Sequence, residues 1–429
     1  MQENIKKDDV LKESKRCLNC ANPMCSVGCP FSNKISNFIK LVKEDNITEA
    51  YDELLKTSFL STICGYVCPS YKYCMKTCVM NAKDNPINIK QLERYVAENN
   101  EKVLEKVEIT HEEKVALIGT GPSSIMCAYT LINNGYYVTM FEKESFLGGL
   151  LSYGIPYYRL PKKNIQSIEK DLLKLGVDIK YNAEYGKDVT EEDLLDQGYK
   201  AIYFGIGLSI PSKLGAEGED LKNIYTVSKF LYHFNLNDGV LQSKDFKDKK
   251  VIVVGAGEAA FDAAITAKKL TAKEVTIIYR RSKLEMSMNK EAAEELEYYG
   301  ITFEYQSLPI RFIGDENGIV KKVECIKMDL GDIDSTGRRI AFPVVGSNYT
   351  VNADVVIECI GNNANIELFK ALGVDIEGKN VKVDRKYRTN KPHIFIGGDL
   401  ATCSGSTVSF AGRSGIEAAK SIMEYLENA

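Results

Sequence analysis

Apolar residues recur with two different periods along this chain. Up to about residue 110 they follow helical spacing, as in Ile35, Phe38, Ile39 and Val42, which predicts a small helical domain. From Lys114 onward, short apolar runs of strand length alternate with helical stretches, a pattern typical of strand–helix–strand units. We therefore expect an α-helical domain followed by an α/β region.

The first strand–helix–strand unit carries a glycine motif. The predicted strand 115–118 runs directly into Gly119 and Gly121, and a helix opens at Pro122 and Ser123. Gly119 permits the tight turn, Gly121 lets a pyrophosphate approach the backbone, and the helix start offers free N–H groups. The next strand, 137–141, ends at Glu142, an acid at the spacing that suits a ribose hydroxyl. An adenine dinucleotide is the expected occupant, although a serine takes the place of the third glycine.

The same arrangement occurs a second time. The predicted strand 251–254 is followed by residues expected to bind a second nucleotide: Gly255, Gly257, Glu258 and Ala259. The following strand ends in Arg280 and Arg281 rather than in an acid. An acid would repel a 2′-phosphate, whereas arginine matches phosphate oxygens, so the pattern favours NADPH over NADH. The alternative is that the two arginines form only a solvated surface pair, but this does not explain why they lie at the end of this strand.

Two later segments complete the α/β region. Residues 303–353 alternate apolar and polar positions between turn signals such as Ser335-Thr336-Gly337, which predicts antiparallel strands. The apolar run 355–361 then ends at Gly361, and a further strand, 394–396, runs into Gly398 and Asp399. The predicted fold class is therefore α/β with two Rossmann-like domains after the helical one.

Length and charge narrow the class of protein. A chain of 429 residues is expected to form two or three domains. A net charge of −4 argues against nucleic acid or an acidic membrane as partner, and no apolar run is long enough to span a bilayer. The first residues are charged where a signal peptide would be apolar, so a soluble, cytoplasmic protein is expected. The histidines, His111, His233 and His393, form no catalytic pattern.

Eight of the twelve cysteines lie within the helical region, and the others are expected to be core residues. The eight are Cys17, Cys20, Cys25, Cys29, Cys64, Cys68, Cys74 and Cys78, while the others are Cys127, Cys325, Cys359 and Cys403. Thiolates at such spacings also hold zinc. The two Cys-Pro pairs and a downstream flavoprotein pattern favour iron–sulfur clusters, and eight thiolates suffice for two four-iron (4Fe-4S) clusters whose ligand sets need not follow sequence order.

The cysteine block, followed by Pro86-Ile87-Asn88-Ile89 and Leu92-Glu93-Arg94-Tyr95, resembles the glutamate synthase small-subunit family. That family is similar to the flavin part of dihydropyrimidine dehydrogenase and to the large subunit of NADPH-ferredoxin transhydrogenase. The resemblance implies that one cluster is held by Cys17, Cys20, Cys25 and Cys78. It implies that the second is held by Cys29, Cys68, Cys74 and Glu93. Cys64 would then be spare, and an all-cysteine site that uses Cys64 is the competing assignment.

The resemblance also implies FAD in the first nucleotide unit. The loop 148–156, which contains Gly149 and precedes Arg159, resembles the family's flavin-lining segment. Asp399 is expected to contact the ribityl-pyrophosphate part of FAD, and Ser406, Thr407, Val408 and a helix from Ala411 are expected to approach the isoalloxazine. The implied domains are residues 1–112 with the clusters, 113–245 and 362–429 with FAD, and 246–361 with NADPH.

These residues predict an NADPH-oxidising electron-transfer subunit in which the cofactors carry the chemistry. The expected acceptor is the glutamate synthase large subunit, and ferredoxin, including a bifurcating transhydrogenase pair, or a pyrimidine-reducing subunit are the alternatives. Dithiol reduction of the thioredoxin-reductase type would need a C-x-x-C motif between residues 249 and 361, and the sequence has none there. A non-enzymatic, cluster-bearing redox sensor or scaffold is the alternative from another class.

Overall fold

The computed structural model describes residues 5–83, 85–237, 239–286, 290–334, 337–401 and 407–428. Cys403, Ser406 and the turn residues Ser335 and Thr336 lie outside the described residues. The chain divides into two compact units. Unit 1 comprises residues 1–152, 157–209 and 364–429, and unit 2 comprises residues 153–156 and 210–363.

Unit 1 begins with the predicted helical region. Its helices are α1 (Lys7–Lys15), α2 (Met24–Gly28), α3 (Ile35–Lys43), α4 (Ile47–Leu55), α5 (Ser61–Val67) and α6 (Ile89–Asn99), with short 3₁₀ turns at Ser70–Lys72 and Val79–Lys83. Helix α3 buries Ile35, Phe38, Ile39 and Val42, as the apolar period predicts. The cysteines lie mainly in the loops and short helices between the longer helices.

The α/β part of unit 1 follows. Its first elements are β1 (Lys114–Ile118), α7 (Pro122–Asn133), β2 (Tyr137–Phe141), α8 (Leu150–Tyr153), α9 (Lys162–Leu175), β3 (Asp178–Lys180), α10 (Glu191–Asp196) and β4 (Tyr199–Phe204). The segment 148–156, predicted to be a loop throughout, contains the one-turn helix α8. Strand β4 ends before Gly205, so the glycines after it belong to a loop.

Unit 2 contains the second nucleotide motif. Its elements are β5 (Ile210–Pro211), β6 (Ile224–Thr226), α11 (Val227–Leu236), α12 (Ser243–Phe246), β7 (Lys250–Val254), α13 (Glu258–Lys269), β8 (Glu274–Tyr279), α14 (Lys290–Tyr298), β9 (Thr302–Tyr305), β10 (Ser307–Gly314), β11 (Val320–Ile333), β12 (Arg339–Pro343), β13 (Tyr349–Asn352), β14 (Val355–Glu358) and β15 (Asn362–Asn363). A parallel sheet has the order β6-β14-β7-β8-β9, and β10 to β13 form an antiparallel sheet.

Two features of unit 2 differ from the sequence predictions. Residues 210–245 group with unit 2 instead of preceding it, because β6 pairs in parallel with β14 and α11 follows β6 directly. Phe303, expected in an antiparallel strand, lies in β9, which extends the parallel sheet beside β8. The antiparallel prediction is confirmed for β10 to β13.

The chain then returns to unit 1 and completes its sheet. The closing elements are α15 (Ile366–Ala371), β16 (Ile376–Glu377), β17 (Asn380–Val381), β18 (Ile394–Ile396) and α16 (Val408–Glu427). Strand β18 pairs in parallel with β4, which gives the order β18-β4-β1-β2-β3. Strands from both sides of the inserted unit thus form one sheet, and the predicted fold class, a split α/β domain with an inserted one, is confirmed. Helix α16 begins at Val408, three residues before the predicted Ala411.

A polar cluster fixes the end of unit 1's sheet. The Glu191 carboxylate accepts hydrogen bonds from Lys391 Nζ at 3.1 Å and lies 2.8 Å from His393 Nε2. Burial opposes ionisation of Glu191, but these two partners outweigh it and hold the pKa of the carboxyl below its usual value. His393 therefore has a structural contact. Within the described part of the chain, no helix combines the length and the apolar character that crossing a bilayer requires.

Candidate cofactor and cluster sites

Four cysteines of the helical region surround one cavity. The first cavity is lined by Cys17, Cys20, Cys25 and Cys78, and the space between its lining atoms, including space open to solvent, is about 390 Å³. Lys43 Nζ fixes the loop of this cavity by donating to the Cys17 carbonyl at 2.6 Å and to Asn19 Oδ1 at 2.8 Å. The structure thus brings together the four residues of the first predicted ligand set.

A second cavity, of about 380 Å³, holds the remaining donors. The second cavity is lined by Cys29, Cys64, Cys68, Cys74, Glu93 and Ser409, among others. Burial, followed by the neighbouring charge of Cys68, raises the pKa of Glu93 to about 8, and burial raises the pKa of Cys29 to about 12. Both members of the predicted alternative, Cys64 and Glu93, therefore lie at the same cavity.

These donor sets fit metal clusters. All eight cysteines are free thiols, and those of the second cavity are buried or half-buried. Buried thiols with raised pKa values stay protonated until a cation displaces the proton, which is what a bound metal does. Thiolates are the soft donors that iron–sulfur clusters take. The Glu93 carboxylate is a harder oxygen donor at the second cavity.

The second cavity also contacts α16, the helix expected to approach the flavin. Ser409, in the first turn of α16, lines the cavity. The Tyr73 ring packs edge-on against Phe410 with centroids 5.5 Å apart, and Tyr73 Oη lies 3.4 Å from Thr407 Oγ1. Arg413 Nη1 donates to the Pro30 carbonyl at 2.9 Å. The loops that carry the cysteines thus pack directly on the first two turns of α16.

The first glycine loop has the shape of a phosphate cradle. Gly119 has φ +88, and a Cβ there would lie 3.1 Å from the Gly205 carbonyl oxygen, so a larger residue would be strained. Gly121 is the N-cap of α7 and has no side-chain cap, with Pro122 at the first helical position. The N–H groups of Ser123 and Ser124 are therefore available to an anion. This loop fits the pyrophosphate of FAD.

Glu142 lies beside this loop and holds it in place. Its Oε2 accepts hydrogen bonds from Thr120 N at 3.0 Å and from Thr120 Oγ1 at 2.6 Å, and its Oε1 accepts from Glu144 N at 2.9 Å. Glu142 is 5% exposed. The sequence predicted the ribose contact of Glu142 but not its bonds to Thr120, because the glycine fingerprint assigns no role to the residue between the first two glycines.

Further predicted FAD residues lie around the same loop. Gly149 has φ +53, and a Cβ there would lie 3.6 Å from Gly121 Cα, so the segment after β2 approaches the phosphate loop. Gly398 N donates to Ser414 Oγ at 2.6 Å, and Ser414 Oγ lies 3.0 Å from Ser123 Oγ. Ser414 was missed by the sequence analysis, since nothing in the residues around it resembles a motif. It joins α7, α16 and the turn after β18.

The remaining predicted FAD residues have less specific surroundings. Arg159 is half-buried. Burial raises the pKa of Asp399. Thr407 is the N-cap of α16 and accepts a hydrogen bond from Phe410 N at 3.4 Å, and Val408 is the first residue of that helix.

The second glycine loop repeats this geometry in unit 2. Gly255 has φ +114, and a Cβ there would lie 2.3 Å from the Cys359 carbonyl oxygen. Gly257 caps α13 without a side-chain bond and has open space beside it. Glu258 and Ala259, in the first turn of α13, are exposed. Gly361, with φ +93, follows β14 and accepts a hydrogen bond from Ser212 N at 3.0 Å.

The two arginines after β8 differ in their surroundings. Arg280 is exposed, as a residue that meets a phosphate must be. Arg281 is 9% exposed; its Nε donates to the Arg339 carbonyl at 2.6 Å and its Nη2 lies 3.5 Å from Asp334 Oδ2. Arg339 Nη2 in turn donates to Ser282 Oγ at 3.1 Å. Arg281 therefore holds the β12 strand. Arg339, which the sequence analysis missed, is a third guanidinium near the end of β8, and its Nε donates to Glu285 Oε1 at 2.5 Å.

Two family models match this chain. Residues 1–104 match the model described as dihydropyrimidine dehydrogenase domain II, 4Fe-4S cluster, and residues 113–421 match that of the pyridine nucleotide-disulphide oxidoreductases.

Relatives of known name match most of the chain. The glutamate synthase (NADPH) small chain of Escherichia coli K12 is 32% identical over 97% of this chain and 91% of its own length. The NADPH-Fe(3+) oxidoreductase subunit beta of Geobacter sulfurreducens is 34% identical over 84% of this chain and 54% of its own length. The solved structure of FprA from Mycobacterium tuberculosis in complex with NADPH shares the fold, with a TM-score of 0.63, 18% identity and coverage of 74% of this chain and 85% of its own.

Proposed function

Because this chain belongs to the glutamate synthase small-chain family, we propose that it takes electrons from NADPH and delivers them, by way of FAD and two 4Fe-4S clusters, to a partner polypeptide. Family membership confirms the resemblance carried by the cysteine block and by residues 86–95. It makes the chain an NAD(P)H-dependent flavin and iron–sulfur oxidoreductase. The number of clusters, the residues that bind each cofactor and the identity of the partner are our proposals.

Each cofactor has a site whose geometry supports it. FAD would lie against Gly119, Gly121, Gly149 and Gly398 in unit 1, and NADPH against Gly255 and Gly257 in unit 2. Two cavities, each lined by at least four of the candidate ligands, support two clusters. When bound, FAD can accept a hydride and release its electrons one at a time, and iron–sulfur clusters carry single electrons. The protein's own groups bind and orient these cofactors.

One observation carries the proposal. The first turn of α16 reaches the second cavity through Ser409, and the cysteine-bearing loops pack on Phe410 and Arg413. The same helix is fixed to the FAD loop, since a Cβ on Gly415 would lie 2.0 Å from the Ser123 carbonyl oxygen. A single helix therefore contacts both the proposed flavin loop and a proposed cluster cavity, which supports electron transfer between the two sites.

The first cavity is the proposed exit. Apolar side chains around it face solvent: Leu18 is 65% exposed, Met24 48% and Val79 45%. Along the sequence, the exposed residues Lys15 and Lys76 lie two positions before Cys17 and Cys78, which line the same cavity. Exposed apolar side chains with lysines nearby in the sequence suit an acceptor that presents acidic side chains. The glutamate synthase large subunit is the proposed acceptor, and ferredoxin is the second candidate.

The test begins with the full chain purified without oxygen. We expect one FAD and about eight irons with matching acid-labile sulfide per chain, given four irons per cluster. NADPH should bleach the flavin absorbance far faster than NADH at equal concentration. Adding the glutamate synthase large subunit should then give NADPH-dependent glutamate formation. Reduction of ferredoxin alone would favour the second candidate. A chain with zinc in place of iron, or without flavin, would contradict the proposal, and bound cofactors without NADPH oxidation would favour a redox sensor.

A further inference from the structure

The second cavity carries more donors than one cluster has irons. Cys29, Cys68 and Cys74 line it, and so do both Cys64 and Glu93. A four-iron cluster takes one protein ligand for each iron. We propose that Cys64 and Glu93 are interchangeable donors, either of which completes the cluster that the three other cysteines hold. The inference rests on the proposed presence of clusters.

Helix geometry places Cys64 beside the ligand Cys68. The two residues are one helical turn apart, and Cys68 N donates to the Cys64 carbonyl at 3.0 Å at the end of α5. Side chains four residues apart on a helix lie on the same face. Cys64 is 3% exposed, so its thiol faces the interior next to Cys68.

A close helix crossing brings Glu93 to the same place. A Cβ on Gly65 would lie 2.6 Å from Arg94 Cα, so the backbones of α5 and α6 touch at this point. Cys64 and Glu93 are the residues that immediately precede the crossing on the two helices. Glu93 is 8% exposed and accepts a hydrogen bond from Asn33 Nδ2 at 3.4 Å, which keeps its carboxylate at the cavity.

Not every buried cysteine of the described residues lies at one of these cavities. Cys325, on β11 in unit 2, is fully buried and lines neither cavity. Cys64 is nearly as buried and lines the second cavity. In such an exchange Cys64 would take the place of Glu93 as the fourth ligand, one Fe–S bond would replace one Fe–O bond, and the thiol proton would pass to the freed carboxylate. It needs no oxidant or reductant.

The experiment compares the iron and acid-labile sulfide content of four full-length proteins purified without oxygen. These are the wild type, Cys64→Ser, Glu93→Ala and the double variant. Each single variant should keep the wild-type iron content, and the double variant should lose about four irons per chain, the content of one cluster. The electron paramagnetic resonance spectrum of reduced Glu93→Ala should shift, because a thiolate replaces a carboxylate, whereas that of Cys64→Ser should not. Cys325→Ser is the matched control and should change neither measurement.

Two results would overturn the inference while leaving the proposed function intact. If Glu93→Ala alone loses as much iron as the double variant, Cys64 does not substitute. If Cys64→Ser alone loses it, Glu93 does not substitute. Wild-type protein without iron would instead defeat the proposed function. Folding of the double variant is checked by its bound FAD and by the irons that remain in the first cavity. If that check fails, the double variant Cys64→Ala with Glu93→Leu replaces it, because leucine fills more of the volume left by the glutamate.

Discussion

Ser124 and Gly205 pack against each other beside the first glycine loop. Ser124 takes the place of the third glycine of the fingerprint, and Gly205 directly follows β4. A Cβ on Gly205 would lie 2.1 Å from Ser124 Oγ and 3.4 Å from Ser124 Cβ. The Ser124 hydroxyl is buried and has no hydrogen-bond partner. We therefore expect Gly205→Ala to be tolerated only when that hydroxyl is absent.

The structure sets the size of the effect. Overpacking a close-packed core costs about 1–3 kcal/mol. Ser124→Ala removes only the oxygen, and the remaining Cβ–Cβ distance of 3.4 Å is an ordinary contact. The new Cβ would also lie 3.1 Å from Tyr203 Cε1, but this contact is the same in both backgrounds and cancels in a double-mutant cycle. The coupling energy between the two substitutions should thus be about 1–3 kcal/mol.

Thermal release of FAD, followed by its fluorescence, gives the assay. Since 1 kcal/mol shifts Tm by roughly 2–4 °C in a unit of 150–250 residues, a cost of about 1–3 kcal/mol means that Gly205→Ala should lower Tm by about 2–12 °C. Ser124→Ala alone should leave Tm unchanged or raise it, because it removes an unpaired buried hydroxyl. The double variant should recover most of the loss. An equal loss from Gly205→Ala in both backgrounds would show that the hydroxyl contact is not responsible.

Four further predictions concern charged side chains. Arg280→Ala should raise the KM for NADPH by about 10- to 100-fold, because a charge-assisted contact worth about 1.5–3 kcal/mol is lost. The KM for NADH should stay almost unchanged. Equal increases for both coenzymes in steady-state kinetics would contradict the prediction. Arg281→Ala should instead lower the thermal stability of the NADPH-binding unit, because the side chain holds β12, and an unchanged Tm would argue against that contact. Glu142→Ala removes two hydrogen bonds to the FAD loop, so the protein should lose flavin on gel filtration, whereas flavin retained at the wild-type ratio would show that the carboxylate is dispensable. The lowered pKa of Glu191 means that its stabilising contribution is complete above the unfolded-state value of about 4.3 and is lost as pH falls through the lower folded-state value. The Tm gap between wild type and Glu191→Gln should therefore be wide at about pH 6 and close below about pH 4, and a gap independent of pH would refute the ion pair.

The sequence predicts what local sterics determine. The strands before Gly119 and Gly255 and the helices after them form where expected, because a turn with positive φ beside a phosphate admits little besides glycine. The paired cysteine blocks likewise lie around cavities. Contacts between distant residues leave no such local signal. Arg339 lies more than fifty residues after Arg281, and no local pattern around it indicates that its carbonyl receives the Arg281 guanidinium.

The sequence also does not decide whether Cys64 or Glu93 completes the second ligand set. Spacing places Cys64 one turn before Cys68, and the family resemblance indicates Glu93, so the sequence supports both. The structure adds the crossing of α5 and α6 at Gly65, a contact between backbones that spacing along one helix cannot contain. Because both donors lie at one cavity, either Cys64 or Glu93 could be sufficient to complete the cluster.

Helical glycines outside the fingerprints determine how the cluster cavities and the flavin loop are joined. Glycine within a helix costs about 1 kcal/mol relative to alanine, so its presence there indicates close packing. A Cβ on Gly412 would lie 2.6 Å from Phe31 Cζ, beside the cysteine-bearing loop, and a Cβ on Gly415 would lie 2.0 Å from the Ser123 carbonyl, at the FAD loop. Both glycines lie in α16, three residues apart. A larger residue at Gly415 would push α16 away from α7, because the contact there is with backbone, whereas one at Gly412 would displace either the Phe31 ring or α16. Because the rate of electron transfer depends on separation, substitutions at these two positions should alter transfer between the proposed flavin and cluster sites.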